Sequence, residues 1–139
     1  MHLLDVSVLI ALTDEGHVHH KIAMKWFNTS GLDWGLCAFS EAGFFRISVN
    51  PKLGQLTFRD ATNILAALTK RPGYRYWPLT AAWDDYVAPF RERVWGHRQV
   101  TDAYLLGLAI KENGILVTLD KAIRSMAEPK FGKHVLVLE

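Results

Sequence analysis

The stretch QVTDAYLLGLAIKENGILVTLDK, residues 99–121, decides the fold. Thr101 offers a helix cap, DAYLLGLAIKEN reads as a helix, Gly114 ends it, and ILVTL reads as a strand. In a right-handed βαβ arrangement the helix descends from the carboxyl edge of the sheet and the next strand climbs back to it. From Asp102 to Asn113 the helix is about 18 Å long at 1.5 Å per residue. The climb from Ile115 to Asp120 covers about 17 Å at 3.3 Å per residue. The lengths match, so the spacing predicts Asp102 and Asp120 side by side at the carboxyl edge.

On the N-terminal side, HLLDVSVLIAL is an apolar run interrupted by Asp5, the pattern of a buried strand that ends at the aspartate and passes into a short helix. DEGHVHHKIAMKWFNTSG places Ile22, Ala23, Trp26 and Phe27 at helical spacing and stops at Gly31. LDWGLCAF reads as a second strand, and Ser40 as the cap of a helix over SEAGFFRISVN that Pro51 ends. LTFRDATNILAALTKRPG is a further helix with Phe58, Ala61, Ile64, Leu65 and Leu68 on one stripe. YRYWPL is a short strand, and TAAWDDYVAPFRERV a helix capped by Thr80 and broken near Pro89. After the loop around Pro129, HVLVLE is the last strand. Strands alternating with helices in this way predict an α/β fold: a three-layer sandwich whose central, mostly parallel sheet of about four to five strands carries helices on both faces.

The bulk numbers bound the function. With 139 residues, 50% hydrophobic and 22% charged, the chain predicts one domain over residues 1–139. Its 16 Lys+Arg against 14 Asp+Glu leave a net charge of +2, too slight a surplus to identify a nucleic-acid binder. Any basic surface must be local. The only cysteine, Cys37, excludes an internal disulfide and suits a reducing cytoplasm. No apolar run approaches a membrane-spanning length, and a strand starting at His2 leaves no room for a secretory leader. The five tryptophans read mostly as core, with Trp26, Trp34 and Trp83 as candidates for a protein contact.

Asp5 ends the first strand, and Glu41 begins the helix after the second, so both join Asp102 and Asp120 at the carboxyl edge. Open α/β sheets bind their ligands there. Two like charges about 4 Å apart repel by roughly 4 kcal/mol at an effective dielectric of 20. The helix N-termini at Glu41 and Asp102 return only about 0.3 to 1 kcal/mol each. Partial protonation is one escape and a bound divalent cation the other. Oxygen ligands without His or Cys favour Mg²⁺ or Mn²⁺ over zinc. Taken singly, Asp102 and Glu41 are ordinary first-turn acids and Asp120 an ordinary turn residue. A carboxylate within an apolar strand-to-helix turn, as at Asp5, is seldom left without a partner. The spacing of His17, His19 and His20 fits no zinc signature, and these read as surface residues at a helix entry.

DVSVLIAL, SEAGFFRISVNP, VTDAYLLGLA and LVTLDK, in this order and spacing, resemble the PIN-domain ribonucleases, and among them the VapC toxins of VapBC toxin–antitoxin modules. The resemblance covers essentially the whole chain. It implies a PIN-like fold and a Mg²⁺- or Mn²⁺-dependent endoribonuclease that leaves a 5′-phosphate and a 3′-hydroxyl. The family's acidic positions fall on Asp5, Glu41, Asp102 and Asp120, with Asp5, Asp102 and Asp120 as metal ligands and Glu41 as ligand or water orienter. Its hydroxyl positions fall on Ser7 and Thr118, which would fix carboxylate rotamers. Arg46, His97, Arg98 and Lys121 are weaker candidates for RNA contact, against readings as solvated surface or, for Arg46, as an antitoxin contact. The partners implied are an RNA substrate, a cognate VapB-type antitoxin and a second copy of the chain, with no membrane. Two readings compete: a PIN-like module that binds RNA or protein without cutting, and an aspartyl-phosphate or receiver-type domain, which would want a second carboxylate where Ser7 stands.

Overall fold

The computed structural model describes residues 1–139. Five strands, β1 (His2–Leu4), β2 (Trp34–Leu36), β3 (Tyr74–Tyr76), β4 (Ile115–Thr118) and β5 (Val135–Val137), form one all-parallel sheet in the order β3-β2-β1-β4-β5. Seven α-helices surround it: α1 (Val6–Thr13), α2 (His20–Phe27), α3 (Ala38–Ser48), α4 (Phe58–Thr69), α5 (Trp83–Val87), α6 (Val100–Lys111) and α7 (Lys121–Ala127).

β1 is the middle strand, buried on both sides, which is why its sequence is apolar without alternation. Leu3 and its neighbour Leu116 face the layer of α5, α6 and α7; Leu4 and its neighbour Val117 face the layer of α1 to α4. Period two thus divides the apolar side chains between two cores. The chain leaves β1 toward β2 on one side and leaves β4 toward β5 on the other. The connections diverge between β1 and β4, which opens a crevice at the carboxyl ends of those two strands.

Three helix starts differ from expectation. Cys37, not Ser40, is the cap of α3, and the helix begins at Ala38. The Ser40 hydroxyl instead donates to the Leu4 carbonyl at 2.7 Å, tying α3 to the end of β1. Glu41 is therefore the fourth residue of α3 rather than its first. Ala82 precedes α5 in place of Thr80, with the Asp85 carboxylate accepting the Ala82 N–H at 3.2 Å. Helix α6 begins at Val100, because a 3-10 turn over His97–Gln99 feeds straight into it; Thr101 is already helical. The expected loop between Asp120 and the last strand contains α7, capped by the Asp120 side chain accepting from Ala122 N. Seven residues make two turns, too few for an apolar period to show in sequence.

Where α5 crosses α6, the site of contact is Gly107. A Cβ there would lie 2.6 Å from both the Cβ and the carbonyl oxygen of the buried Tyr86. In an exposed helix, glycine to alanine gains up to about 1 kcal/mol. Here overpacking against backbone costs about 1–3 kcal/mol and wins. Gly107→Ala is expected to lower the thermal midpoint by about 2–8 °C, read by circular dichroism; a rise would show that the two helices separate freely.

Candidate functional site

Asp5 occupies the first residue beyond β1 and is also the cap of α1. Its Oδ1 accepts the Val6 N–H at 2.7 Å. Its Oδ2 accepts two hydroxyls, Ser7 at 2.9 Å and Thr118 at 2.7 Å. Each hydroxyl accepts in turn from the backbone that follows β4: Ser7 from Leu119 N–H at 3.1 Å and Thr118 from Asp120 N–H at 3.0 Å. Two small side chains thus lock the first carboxylate and the β4–α7 turn into one unit. The geometry assigns Ser7 and Thr118 work that their residue types alone do not reveal.

The side chain of Asp5 is buried, Asp102 half-buried and Asp120 exposed at the rim. Burial raises the Asp5 carboxyl above its usual range, opposed by the bonds from Thr118, Ser7 and Val6, and the Asp120 charge adds to the rise. The Asp102 carboxyl is pushed up to about 7, first by burial and then by the charges of Asp5 and Asp120. These three carboxylates are electrostatic neighbours at the crevice between β1 and β4. Glu41 stands apart from them: burial alone raises it, and its charge is felt by Tyr74. It lies on the same edge of the sheet in the first turn of α3.

Chemically the donor set suits a hard divalent cation, since it is all oxygen and carries an excess of negative charge that adds to burial in lifting Asp102. The fit is one of charge and donor type. No three of the His, Cys, Asp and Glu side chains are already gathered into a metal-binding group, so closure around an ion requires side-chain rotation or water. That applies equally to His17, His19 and His20. The site is ill suited to forming an acyl phosphate on Asp5, because both oxygens of that carboxylate are engaged in hydrogen bonds.

Basic side chains flank the crevice. Lys121 opens α7 directly after Asp120, and His97 and Arg98 lie in the 3-10 turn that leads to Asp102; all three are exposed. The only ion pairs of the fold are Arg91–Asp84 at 3.2 Å and Arg124–Glu139 at 3.8 Å, so Arg98 and Lys121 are free of carboxylate partners. Arg46 is exposed in the last turn of α3, about 8 Å along the helix from Glu41 and away from the carboxyl edge. Of the tryptophans, Trp34 and Trp77 are core, at 2% and 4% exposure, and Trp26 and Trp83 are half-buried. Trp95, at 86%, is not core.

Thr118→Val keeps the shape of the side chain and removes its bonds to Asp5 and Asp120. The Asp5 oxygen loses one donor and the Asp120 N–H is orphaned, a cost of about 1–3 kcal/mol. Thr118→Ser is expected to restore the lost stability, and denaturant unfolding measures it.

The profile of the PIN domain matches residues 2–129. Over 133 residues the chain is 38% identical to Ribonuclease VapC38 of Mycobacterium tuberculosis, covering 94% of this chain and 92% of that one. Over 128 residues it is 41% identical to Ribonuclease VapC39 of the same species, covering 90% and 92%. Among solved structures, Mycobacterium tuberculosis VapC20, a Sarcin–Ricin loop cleaving toxin, superposes with a TM-score of 0.67 at 16% identity over 90% of this chain and 94% of that one. VapBC2 from Rickettsia felis, bound to a DNA fragment from its promoter, gives 0.68 at 12% identity over 99% and 98%. At those identities the two superpositions establish the fold. No helix is long and apolar enough to cross a membrane.

Proposed function

The chain belongs to the PIN-domain family, with VapC ribonucleases as its relatives, and from that premise we propose that it is the toxin endoribonuclease of a type II toxin–antitoxin pair. The observation that carries the reading is the trio of Asp5, Asp102 and Asp120 at the divergence point of a parallel sheet, where burial first, and then the charges of Asp5 and Asp120, lift Asp102 to about 7. Such a site is built for positive charge.

Asp5, Asp102 and Asp120 would hold Mg²⁺ or Mn²⁺, which when bound supplies an activated water and neutralises charge on the phosphoryl oxygens. Asp5 is the fixed member, oriented by Ser7 and Thr118. Asp102 is the responsive member: burial and the neighbouring charges hold its carboxyl at about 7, so it would release its proton on taking a cation. Glu41, farther along the edge, orients water. Lys121, Arg98 and His97 draw RNA phosphates to the rim, and Arg46, at the far end of α3, is the weakest of these contacts. Cleavage leaves a 5′-phosphate and a 3′-hydroxyl. The protein works in the cytoplasm as a homodimer, restrained by a cognate VapB-type antitoxin, and residues 1–139 act as one PIN domain.

One observation favours a PIN module that binds without cutting: the carboxylates do not stand ready in a three-ligand group. One experiment separates the readings. Total cellular RNA is incubated with wild type and Asp5→Asn in EDTA, Mg²⁺ or Mn²⁺, and new 5′ ends are mapped. Discrete ends from wild type with metal alone are expected. Equal patterns from both proteins would remove the acidic site from the mechanism, and RNA binding without new ends would establish the non-cutting module.

A further inference from the structure

Segment 91–98, RERVWGHR, interleaves an aromatic with four basic residues just before the helix of Asp102. Trp95 is 86% exposed, the most exposed of the large apolar side chains. Its ring is therefore no part of the packing that holds the fold together. Yet its backbone is held. The Trp95 N–H donates to the Gln99 side chain at 2.7 Å, and the Gln99 N–H returns to the Gly96 carbonyl at 3.0 Å. One turn earlier the Arg93 guanidinium makes two bonds to the Ser125 carbonyl of α7, at 3.1 and 2.7 Å. The loop is thus pinned at both flanks, and the ring is presented to solvent on it.

Its location is equally specific. The 3-10 turn His97–Gln99 runs directly into α6, so Trp95 is seven residues from Asp102 on the carboxyl side of the sheet. With extended, 3-10 and α-helical rises, the backbone separation is at most about 17 Å. His97 and Arg98 follow the ring, and Arg98 has no carboxylate partner. A flat aromatic followed in the same loop by an unpaired guanidinium is the surface that single-stranded RNA recognises, by stacking a base on the ring while a phosphate meets the cation. A protein partner is the less favoured occupant, since an interface core excludes unpaired charge and this ring has charge on both sides.

We propose that Trp95 is a substrate-binding residue that stacks an unpaired base of the RNA a few nucleotides from the scissile bond, with Arg98 holding the adjoining phosphate. This rests on the ribonuclease reading above. It makes the substrate single-stranded at that point, a loop or an unpaired segment.

The test uses the full chain and a fluorescein-labelled single-stranded RNA of mixed sequence, with affinity measured in EDTA, where cutting is suppressed. Trp95→Ala is expected to weaken binding about 5- to 150-fold, the range that corresponds to loss of one base–aromatic stack. Trp95→Phe should restore most of the affinity, because stacking needs a π-face rather than an indole. Salt dependence distinguishes the two residues: Arg98→Ala lowers the slope of log affinity against log salt by about 0.7, as loss of one single-strand phosphate contact requires, whereas Trp95→Ala leaves it unchanged. With metal, KM for RNA rises in Trp95→Ala in the same proportion while kcat holds. Wild-type affinity in Trp95→Ala, with wild type itself binding and cutting RNA, overturns the proposal alone and leaves the ring to a protein partner. Wild type that neither binds this RNA nor cuts total RNA overturns the ribonuclease reading, and this proposal with it.

Discussion

Asp102→Asn is expected to cut RNA cleavage by about three orders of magnitude, because on the proposed reading several kcal/mol of transition-state stabilisation depend on the full carboxylate set at about 1.36 kcal/mol per tenfold. The same substitution should make the metal-free protein harder to unfold at alkaline pH. In the folded chain the Asp102 carboxyl keeps its proton up to about 7, against an ordinary value of 3.8. Between those values the folded state binds more protons than the unfolded one, so stability falls as pH rises through the window, and the penalty is complete above it. Asparagine carries no such penalty. At pH 8 in EDTA the variant should melt about 3 °C above wild type, a modest figure because a half-buried group is partly screened by solvent. The gap should close as pH is lowered to about 4. On the proposed reading, adding Mg²⁺ at pH 8 should narrow it, since the ion would stabilise the native state of wild type in proportion to its binding and the variant would lack a ligand. Differential scanning fluorimetry across pH, with and without Mg²⁺, reads all of this. A variant that melts lower than wild type at pH 8 would mean that burial and the neighbouring charges do not penalise the Asp102 carboxylate.

Asp5→Ala is expected to do the opposite to stability while also eliminating cleavage. The Asp5 side chain caps α1, an interaction whose loss costs about 1 kcal/mol. It is also the acceptor for the Ser7 and Thr118 hydroxyls, which in turn hold the Leu119 and Asp120 N–H groups. Removing it leaves buried donors without acceptors, at about 1–3 kcal/mol each where water does not enter. The total expected loss is about 3 kcal/mol, read by urea denaturation, and it should be accompanied by faster amide exchange at Leu119 and Asp120. Two carboxylates of one site thus give stability changes of opposite sign. Burial penalises the charge on both; the difference is that donors from Ser7, Thr118 and Val6 oppose it at Asp5, whereas at Asp102 neighbouring negative charges add to it.

The fold was legible because parallel βα units have few solutions. HLLD, DWGL and ILVTLD each end an apolar run at the carboxyl edge, and connection handedness brings the start of the following helix to the same edge. Asp5 and Asp120 could be placed there from spacing alone, and Asp102 beside them from matched lengths. Helix starts were less legible, since Ser40, Thr80 and Thr101 are all competent caps and the choice among neighbouring positions depends on tertiary bonds. Ser40 is the clear instance, its hydroxyl being drawn to the Leu4 carbonyl of the adjacent strand. Helix α7 gave no periodic signal because it is only two turns long.

The carboxylates themselves divide in the same way. Residue type and strand position determined that Asp5, Asp102 and Asp120 share an edge, because side chains at strand ends and helix starts have nowhere else to go in a parallel sheet. The structure decided that Glu41 stands apart from them electrostatically, that Ser7 and Thr118 relay bonds from Asp5 to the β4–α7 turn, and that Trp95 is presented to solvent while Trp34 and Trp77 are buried. Those outcomes depend on which segments, distant along the chain, come within about 3 Å of one another or fail to. Hydrophobic period and handedness specify the scaffold locally; burial, hydrogen-bond partnership and the summed field of neighbouring charges exist only once the chain has closed on itself.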